Sequence, residues 1–347
     1  MTKTVYVGMS GGVDSSLTAA LVKEQGYDVV GVYMKNWAKD LPGFDCPWRE
    51  DLADAKRVAV QLGIKLEVFD FQNEYKEKVV DYMLEAYKQG ITPNPDIMCN
   101  QEIKFKVFLE SALDAGADMI ATGHYARVDN DRLLQAADYD KDQTYFLYRV
   151  NSDALSKTIF PLGDYTKQEV REMAAERGLV TANKKESMGI CFVGKVGIKE
   201  FLSQYVDTNP GGIITTEGKK VGKHEGAIFY TIGQRHGLNI GGGLPYYVVD
   251  KNINDNLVVV TSDLDDDRLW RDSAQLVSWH SINEVPQIDK IYMVRNRHRA
   301  EMIEATLESI DGKKAMVKFK DPTRAITPGQ SLVFYEGERV VGGGIIV

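Results

Sequence analysis

The order of apolar and polar residues along this chain follows two different patterns, and the change falls near residue 200. In the first part, short apolar runs predict buried strands, and apolar positions three or four residues apart predict helices between them. Predicted strands are 3–7, 27–34, 64–71 and 119–122, and predicted helices are 17–25, 49–62, 74–88 and 103–115. Because strands separated by helices of this length form βαβ units, we predict an α/β domain with a doubly wound parallel sheet.

Beyond about residue 201, short apolar runs are divided by glycine and aspartate, which is typical of β structure. Strands are predicted at 227–232, 246–250, 257–261, 290–294, 302–308, 315–319, 331–335 and 340–347. We therefore predict three domains: the α/β domain over 1–200, a small β-rich middle domain over 201–271, and a C-terminal β-barrel over 272–347.

The first predicted strand leads into a stretch rich in glycine and serine, Gly8-Met9-Ser10-Gly11-Gly12-Val13-Asp14-Ser15-Ser16. A strand, a glycine pair and a helix start present backbone N–H groups and the positive end of a helix to an anion. Gly11 and Gly12 allow positive φ angles and a close approach of phosphate oxygens, and Ser15 or Ser16 can cap the helix or donate a hydroxyl. No lysine follows the glycines, so the Walker phosphate loop is absent. The alternative to a phosphate site is a capped turn that binds nothing.

Composition narrows the class of protein. The chain has 347 residues, of which 44% are hydrophobic and 27% are charged, as in ordinary globular proteins. No signal-like N-terminus or long apolar span appears, so we expect a cytoplasmic protein that is not inserted in a membrane. The net charge of −8, from 42 basic and 50 acidic residues, argues against indiscriminate nucleic-acid binding but allows a local basic face.

Three cysteines, Cys46, Cys99 and Cys191, are too scattered for a disulfide framework and fit a reducing compartment. Cys99 and Cys191 lie beside apolar residues, so each is either a buried inert thiol or a reactive one. We interpret Cys46 as structural or incidental. As an alternative to free thiols, Asp96, Cys99 and Cys191 could hold an iron–sulfur cluster. We rank this interpretation below that of free thiols, because no CxxC pair is present.

Local signals predict three connections. Two prolines predict an irregular loop rather than a helix over 90–100. A hairpin is predicted over 127–135, with its turn at 129–131. A capped helix is predicted from Thr166, because Glu169 follows three residues later.

Basic and imidazole side chains offer further candidates. Arg295, Arg297 and Arg299 alternate, which predicts three guanidinium groups on one face of a strand. Such a face is either a solvated edge strand or a contact for phosphates. His124 follows a predicted strand, where it is either a core imidazole or part of a site at the carboxyl edge of the sheet.

These motifs resemble one family. The stretch from Ser10 to Ser16 resembles the PP-loop of ATP pyrophosphatases, which adenylate a substrate and release pyrophosphate. From residue 4 onwards the chain is similar to the bacterial tRNA-specific 2-thiouridylases of the PP-loop superfamily. The other stretches that carry this resemblance are Met34-Lys35-Asn36-Trp37, Asn94-Pro95-Asp96-Ile97-Met98-Cys99-Asn100, Thr122-Gly123-His124-Tyr125-Ala126-Arg127, Lys141-Asp142-Gln143, Gly189-Ile190-Cys191-Phe192, Tyr230-Thr231-Ile232-Gly233-Gln234-Arg235-His236-Gly237 and Thr327-Pro328-Gly329-Gln330. Met188 departs from the family, which usually has a polar residue before Gly-Ile-Cys.

The resemblance implies an adenine nucleotide alpha hydrolase-like fold and ATP-dependent 2-thiolation of the wobble uridine of tRNA. ATP, with Mg²⁺, would adenylate the uracil C2 oxygen. Cys191 would then carry the sulfur as a persulfide, and Cys99 would release it, leaving a Cys99–Cys191 disulfide. Asp96 would handle protons or the edge of the base.

The resemblance also implies binding residues and partners. Nucleotide contacts are expected from Gly8, Met9, Ser10, Gly11, Gly12, Val13, Asp14, Ser15, Met34 and Gly123. RNA contacts are expected from Asn94, Pro95, Asp96, His124, Lys141, Asp142, Gln143, Arg297, His298 and Gln330. The expected partners are tRNAs with Lys, Glu and Gln anticodons and a persulfide-donating carrier or cysteine desulfurase. A monomer is expected.

Two other functions fit part of the sequence. A PP-loop ligase that forms amides would need neither redox cysteines nor a basic β-barrel. A tRNA-binding protein gated by a nucleotide would show no pyrophosphate release that depends on tRNA.

Overall fold

The computed structural model describes residues 2–38, 47–185, 197–206, 208–241 and 243–347, and its strands form three sheets. In chain order the strands are β1 (Thr4–Gly8), β2 (Asp28–Lys35), β3 (Lys65–Asp70), β4 (Met119–Ala121), β5 (Arg127–Asp129), β6 (Arg132–Leu134), β7 (Thr158–Ile159), β8 (Gly211–Thr215), β9 (Lys220–His224), β10 (Tyr247–Asn252), β11 (Leu257–Thr261), β12 (Trp270–Ser281), β13 (Ile291–Arg295), β14 (Ile303–Asp311), β15 (Lys314–Arg324), β16 (Ser331–Glu336) and β17 (Arg339–Ile346).

The helices lie mostly in the N-terminal part. They are α1 (Val13–Glu24), α2 (Trp48–Leu62), α3 (72–88), α4 (95–114), α5 (Thr144–Leu147), α6 (Ser152–Ser156), α7 (Lys167–Glu176) and α8 (Ile198–Leu202). Helices α3 and α4 each include a π-helical segment, Lys76–Asp81 and Cys99–Val107 respectively. Such segments are rare and frequently occur at functional sites.

The parallel sheet has the strand order β3-β2-β1-β4-β7, with every pairing parallel. From β1 the chain adds β2 and β3 on one side of the sheet, and it then adds β4 and β7 on the other side of β1. This reversal places a crevice beyond the carboxyl ends of β1 and β4, where ligands of such sheets bind. The predicted doubly wound parallel sheet is confirmed.

Helix α1 is buried between this sheet and α7. Ala19 and Val22 pack in the same cluster as the β1 side chains, while Leu17 and Leu21 pack with Val170 of α7. Ion pairs join the two helices at both ends: Asp14 with Lys167, and Glu24 with Arg177. Helices α1 and α7 thus run in the same direction, with their N-termini at the same edge of the sheet.

The two remaining sheets make up the β-rich remainder of the chain. A four-stranded sheet has the order β10-β11-β8-β9 and packs around Ile213, Val248 and Val258. Six strands in the order β12-β15-β14-β13-β16-β17 close into a barrel through the antiparallel pairing of β12 with β17. The predicted middle β region and C-terminal barrel are confirmed as folds, while the domain boundaries stay predictions.

The hairpin β5–β6 extends the barrel sheet although it lies early in the chain. Leu134 pairs with Arg339 of β17, and the backbone N–H of Gln135 donates to the carbonyl of Glu338 at 2.9 Å. Asn130 takes the positive φ of 58° that the tight turn requires. The predicted hairpin is confirmed.

Three predictions of local structure are wrong. Residues 90–100 do not form an irregular loop throughout, because α4 begins at Pro95. Pro95 occupies the first helical position, where its missing N–H is not needed, and the Asn94 side chain caps the helix by accepting from the N–H of Ile97. The strand predicted over 227–232 is instead a 3₁₀ turn, Ala227–Phe229.

The third error concerns the alternating arginines. Strand β13 ends at Arg295, and Arg299 has a φ of 62° in the turn that follows. The chain turns away before the alternation continues, so the three guanidinium groups do not share one strand face. Strands β8, β9 and β12 were not predicted, because charged or small residues interrupt their apolar positions.

Candidate active site

The turn between β1 and α1 is held by hydrogen bonds within itself. The backbone N–H of Ser10 donates to Oγ of Ser15 at 3.1 Å, and the Ser15 hydroxyl donates to the carbonyl of Gly12 at 3.1 Å. The Ser16 hydroxyl donates to the same carbonyl at 2.7 Å. Neither serine caps the helix, because the N-cap is Gly12, which makes no side-chain cap. Within the part of the chain that the structure describes, no side chain caps the first turn of α1, which leaves its N–H groups for an external acceptor.

The two glycines of the turn do different things. Gly11 has a φ of 74°, and a Cβ there would lie 2.2 Å from the backbone oxygen of Asp51 in α2. Gly12 has a φ of −94°, so it does not use the positive φ that a glycine allows. Among the described residues, the heavy atom nearest to a Cβ on Gly12 would be Oγ of Ser10 at 3.5 Å. Gly11 thus allows α2 to approach, while a Cβ on Gly12 would make only an ordinary van der Waals contact with the described residues.

Asp14, in the first turn of α1, forms an ion pair with the largely buried side chain of Lys167. Its Oδ1 and Oδ2 lie 2.7 and 2.8 Å from Nζ of Lys167, and the hydroxyl of Tyr125 donates to Oδ1 at 3.0 Å. The Lys167 ammonium also lies 5.6 Å from the centroid of the Tyr125 ring. Asp14 was predicted to position phosphates. The structure gives its carboxylate three hydrogen bonds from these two neighbours.

Met34 and Gly123 both border the same turn. A Cβ on Gly8 would lie 3.1 Å from Cε of Met34. A Cβ on Gly123 would lie 3.0 Å from both the carbonyl carbon of Asp14 and the backbone nitrogen of Ser15. The predicted nucleotide residues, including the buried Met9 and Val13, are thus brought together at the carboxyl ends of β1, β2 and β4.

Cys99 lies at the start of the π-helical segment of α4 and is buried, with 1% of its surface exposed. Asn94, Pro95 and Asp96 form the cap and first turn of the same helix, and Asp96 is partly exposed. The amide of Asn100 donates to the carbonyl of Phe146 at 3.2 Å, which ties this helix start to α5.

His124 is buried between the rings of Phe105 and Phe160. Its Nε2 lies 3.2 Å from Nζ of Lys104, and its Nδ1 lies 2.8 Å from Oγ1 of Thr122. Because an ammonium only donates, Nε2 accepts and the ring proton sits on Nδ1. Burial, and after it the charge of Lys104, holds the pKa of His124 well below 6.5. The ring is therefore neutral and faces α4.

The segment before α4 is held by both β regions. The side-chain amide of Gln330 donates to the carbonyl of Thr92 at 2.7 Å, and the hydroxyls of Thr92 and Thr231 lie 3.2 Å apart. Nη2 of Arg297 donates to the carbonyls of Ile232 at 3.4 Å and Ala325 at 3.1 Å. We call this contact of Thr92, Thr231, Ile232, Arg297, Ala325 and Gln330 the junction. It brings the predicted RNA residues Arg297 and Gln330 to the start of α4.

Two more predicted RNA residues lie close by. The His298 ring packs on Phe146 of α5 with centroids 4.6 Å apart. Burial, followed by the charges of Arg299, Arg295 and Lys141, lowers the pKa of His298 to about 4. Oε1 of Gln143 accepts from the backbone N–H of Tyr125 at 2.9 Å.

Asp142 has a buried position. It is 1% exposed, pairs with Nη1 of the equally buried Arg295 at 3.3 Å, and accepts from the backbone N–H of Ala136 at 3.1 Å. Its carboxylate joins the segment after the hairpin to strand β13. Lys141, next to it, is partly exposed.

Some sequence predictions fall on residues outside the described ranges. They are Cys46, Met188 and Cys191, with the Gly189–Phe192 motif. Within the described ranges, no group of three or more His, Cys, Asp or Glu side chains could hold a metal ion. Among the same residues, no helix has both the length and the apolar character needed to cross a membrane.

Sequence reasoning missed Lys104 and Lys167, and it interpreted Arg295 as part of a solvated or phosphate-contacting face rather than as the buried partner of Asp142. For Lys167 a signal existed: it is the first helical residue after the cap Thr166, where the helix dipole favours acidic side chains over basic ones. A lysine at such a position is expected to have an acidic partner, here Asp14 on α1.

Comparisons with known proteins cover nearly the whole chain. Three family models match in order: a tRNA methyl transferase HUP domain over residues 3–195, a tRNA methyl transferase PRC-barrel domain over 199–262, and an aminomethyltransferase beta-barrel domain over 272–346. A tRNA-specific 2-thiouridylase MnmA of Listeria innocua is 50% identical over 350 residues, covering 99% of this chain and 94% of that protein.

Another tRNA-specific 2-thiouridylase MnmA, from Staphylococcus aureus, is 48% identical over 351 residues, with the same coverage of 99% and 94%. A solved 4-thiouridine synthetase–RNA complex with bound ATP is 18% identical, with a TM-score of 0.36, and covers 58% of this chain and 50% of that one. That likeness is too distant to assign a function. On the strength of the two close relatives, the chain belongs to the family of the tRNA-specific 2-thiouridylases.

Proposed function

We propose that this protein uses ATP to replace the C2 oxygen of the wobble uridine of tRNA with sulfur. One observation carries the proposal. The N-terminus of α1, which has no side-chain cap, lies at the same sheet edge as Gly123, and the neighbouring His124 contacts α4, whose first turns carry Asp96 and Cys99. The names of the close relatives support it.

The first step of the proposed reaction is adenylation. The uracil C2 oxygen attacks the α-phosphorus of ATP, and the bond to the β-phosphate breaks to release pyrophosphate. The N–H groups from Gly11 to Ser15 would bind the phosphates, and Met34 and Gly123 would flank the adenosine. The tight contact of Gly123 with Asp14 and Ser15 supports this arrangement, because a side chain there would displace the first turn of α1.

Mg²⁺ is proposed to arrive with ATP, coordinated by the phosphates and by water. The described residues do not fit a separate metal site held by the protein. Both carboxylate oxygens of Asp14 already accept from Lys167, and the described residues contain no metal-binding cluster. No step is assigned to the ion.

The second step is sulfur transfer. Cys191 would carry an outer sulfur as a persulfide, and the Cys99 thiolate would attack the inner sulfur, forming the Cys99–Cys191 disulfide and releasing hydrosulfide. The hydrosulfide attacks C2, and AMP leaves with the former C2 oxygen. The buried position of Cys99 protects its thiol from other oxidants. A thiol reductant restores both cysteines.

The target base is proposed to bind between the start of α4 and the barrel, after it leaves its stack. Asn94, Pro95 and Asp96 would contact it, while Lys141, Gln143, His298 and Gln330 would contact the surrounding RNA. The junction supports this position, because it fixes the start of α4 against the barrel. Asp142, Arg297 and His124 would act by holding these segments in place.

The proposed partners and setting follow from the same reaction. The substrates would be tRNAs with Lys, Glu and Gln anticodons, and a persulfide-donating carrier or cysteine desulfurase would load Cys191. The protein would act as a monomer in the cytoplasm. The cluster alternative, with Asp96, Cys99 and Cys191 as ligands, is ranked second because the direct transfer above needs no iron.

Nucleoside analysis of unmodified tRNA incubated with protein, ATP and a persulfide donor tests the proposal. We expect 2-thiouridine at the wobble position, with AMP and pyrophosphate formed in equal amounts. Pyrophosphate release without any thiolated nucleoside would point to an amide-forming ligase. If neither product depends on tRNA, the protein binds tRNA without this chemistry.

Two cysteine variants separate the steps. Cys191→Ser should release pyrophosphate with tRNA but make no 2-thiouridine. Cys99→Ser should load the persulfide on Cys191 and then stall, with recovery on free sulfide. A Cys191→Ser protein that thiolates tRNA from a persulfide donor at the wild-type rate would overturn the assignment of the carrier.

A further inference from the structure

The phosphate-binding turn of this chain lacks a cation of its own. In Walker-type loops a lysine of the loop reaches the β- and γ-phosphates. Here Gly12 is followed by Val13, Asp14, Ser15 and Ser16, which add a carboxylate and no positive charge. Backbone N–H groups carry no net charge, whereas pyrophosphate is a highly charged leaving group.

The fold brings a lysine to this turn from 153 residues away. Nζ of Lys167 lies 2.7 and 2.8 Å from the two carboxylate oxygens of Asp14, and only 12% of the Lys167 side chain is exposed. The Tyr125 hydroxyl holds Oδ1 of Asp14 from a second direction at 3.0 Å. The ammonium is therefore fixed beside the second residue of α1.

Building on the function proposed above, we propose that Lys167 is the phosphate-binding lysine of this site. Its ammonium contacts the β- and γ-phosphates of ATP, which leave together as pyrophosphate. Asp14 and Tyr125 are positioning residues that hold the ammonium at the turn. A lysine ammonium is a compact charge with three rotatable donors, so it can donate to a carboxylate and to a phosphate at the same time.

The placement of Lys167 within its own helix supports this role. As the first residue of α7, it sits where the helix dipole disfavours a positive charge. Its backbone N–H donates to Oδ2 of Asp138 at 2.8 Å, which fixes the helix start without help from the side chain. A second ion pair, Arg177 with Glu24, already joins α7 to α1 at their other ends. The pair of Arg177 and Glu24 therefore links the two helices without placing a cation at the turn, so Lys167 is not the only ion-pairing residue between them among the described residues.

The proposal predicts discrimination between nucleotides. A cation at the β- and γ-phosphates strengthens binding of ATP and pyrophosphate but not of AMP, which lacks both phosphates. Calorimetric titration of the full-length protein with each of these three ligands, at fixed Mg²⁺, measures this directly. Lys167→Met should raise the Kd for ATP and for pyrophosphate by about tenfold or more, and change the Kd for AMP by less than about twofold.

Arg177→Met is the matched control, because it removes the other ion pair between the same two helices. It should leave all three affinities at their wild-type values. Tyr125→Phe, which removes the hydroxyl but keeps the ring, should weaken ATP binding in the same direction as Lys167→Met, by less. Lys167→Arg keeps the charge and should retain the preference for ATP over AMP.

Footprinting of the wild-type protein covers the case in which Lys167→Met does not fold. Acylation of Lys167 by an amine-reactive reagent, followed by peptide mass spectrometry, should be slowed by ATP and by pyrophosphate but not by AMP. The proposal is overturned if Lys167→Met keeps the wild-type ratio of ATP to AMP affinity, or if AMP protects Lys167 as well as ATP does. In either case, loss of ATP binding in Gly12→Val would leave the proposed function standing.

Discussion

The side-chain amide of Gln330 donates a 2.7 Å hydrogen bond to the backbone carbonyl of Thr92, two residues before the cap of the helix that carries Cys99. A Cβ on the neighbouring Gly329 would lie 2.2 Å from Cγ2 of Ile91, so the barrel backbone and this segment are in direct contact. The barrel therefore sets the position of the start of α4.

Gln330→Ala removes this hydrogen bond. We expect a small loss of unfolding free energy, about 1 kcal/mol, and a larger loss of pyrophosphate release that depends on tRNA. ATP affinity should not change, because the nucleotide turn lies at α1. Urea denaturation, calorimetry with ATP and a pyrophosphate assay with tRNA measure the three quantities.

Gln61→Ala is the control for that variant. Gln61 also joins distant segments through an amide, donating to the carbonyl of Gly178 at 2.8 Å, but far from α4. An equal loss of tRNA-dependent activity in both variants would contradict a specific role for Gln330.

The two glycines of the turn should respond differently to substitution. Gly12→Val should abolish ATP binding yet unfold cooperatively near the wild-type midpoint, because Gly12 has an ordinary φ and a Cβ there would clash with no described residue. Gly11→Ala should destabilise the fold by about 1–3 kcal/mol, since its positive φ and the approach of Asp51 both oppose a side chain. Calorimetry and urea titration separate the two effects. Normal ATP affinity in Gly12→Val would remove the turn from the binding site.

The buried pair of Asp142 and Arg295 should contribute to stability more than to RNA binding. Asp142→Asn leaves the guanidinium buried without a charged partner, which costs about 3–5 kcal/mol in such pairs. Urea denaturation measures this loss. A fully stable Asp142→Asn protein that no longer binds tRNA would show instead that the carboxylate faces the RNA.

Stability should fall in mild acid, because burial lowers the folded-state pKa of several histidines, among them His124 and His298. Burial first, and then its cationic neighbours, lower the folded-state pKa of His298 to about 4, against 6.5 for the ordinary side chain. Below pH 6.5 the unfolded state takes up a proton that the folded state does not, so the free energy of unfolding decreases as pH drops from 6.5 towards 4. Urea midpoints at pH 7 and pH 5 measure this decrease.

His298→Gln should reduce that dependence on pH, whereas His236→Gln, at an exposed position, serves as the control. An unchanged difference between pH 7 and pH 5 in His298→Gln would show that other groups cause it.

Sequence patterns predicted those parts of the molecule that local signals determine. The parallel sheet, the hairpin over 127–135 and the capping box at Thr166 follow from periodicity, turn residues and cap residues that lie within a few positions of one another. The prolines of 90–100 were interpreted as residues that exclude a helix. Proline is tolerated at the first helical position, so the start of α4 at Pro95 was missed. The arginine alternation predicted a strand that carries Arg295, Arg297 and Arg299, but β13 ends at Arg295, and Arg299 lies in the following turn with a φ of 62°.

The site was predictable where a motif is contiguous and not where it is assembled by packing. The stretch from Gly8 to Ser15 could be assigned from its own residues. The pairing of Asp14 with Lys167 depends on how α7 packs along α1, and no pattern near either residue gives that distance. The roles of Arg297 and Asp142 likewise depend on the barrel, which buries both side chains at least in part.

The shared core of the α/β region and the barrel has a consequence for synthesis. Tyr145 and Tyr148 pack in one cluster with Val333, Tyr335 and Val340, and both tyrosine hydroxyls bond to Ser331. On the ribosome, β16 and β17 emerge after every other described element, so these tyrosines stay exposed until then. The nascent α/β region is therefore expected to be prone to aggregation and to need chaperone protection until β16 and β17 have been synthesised.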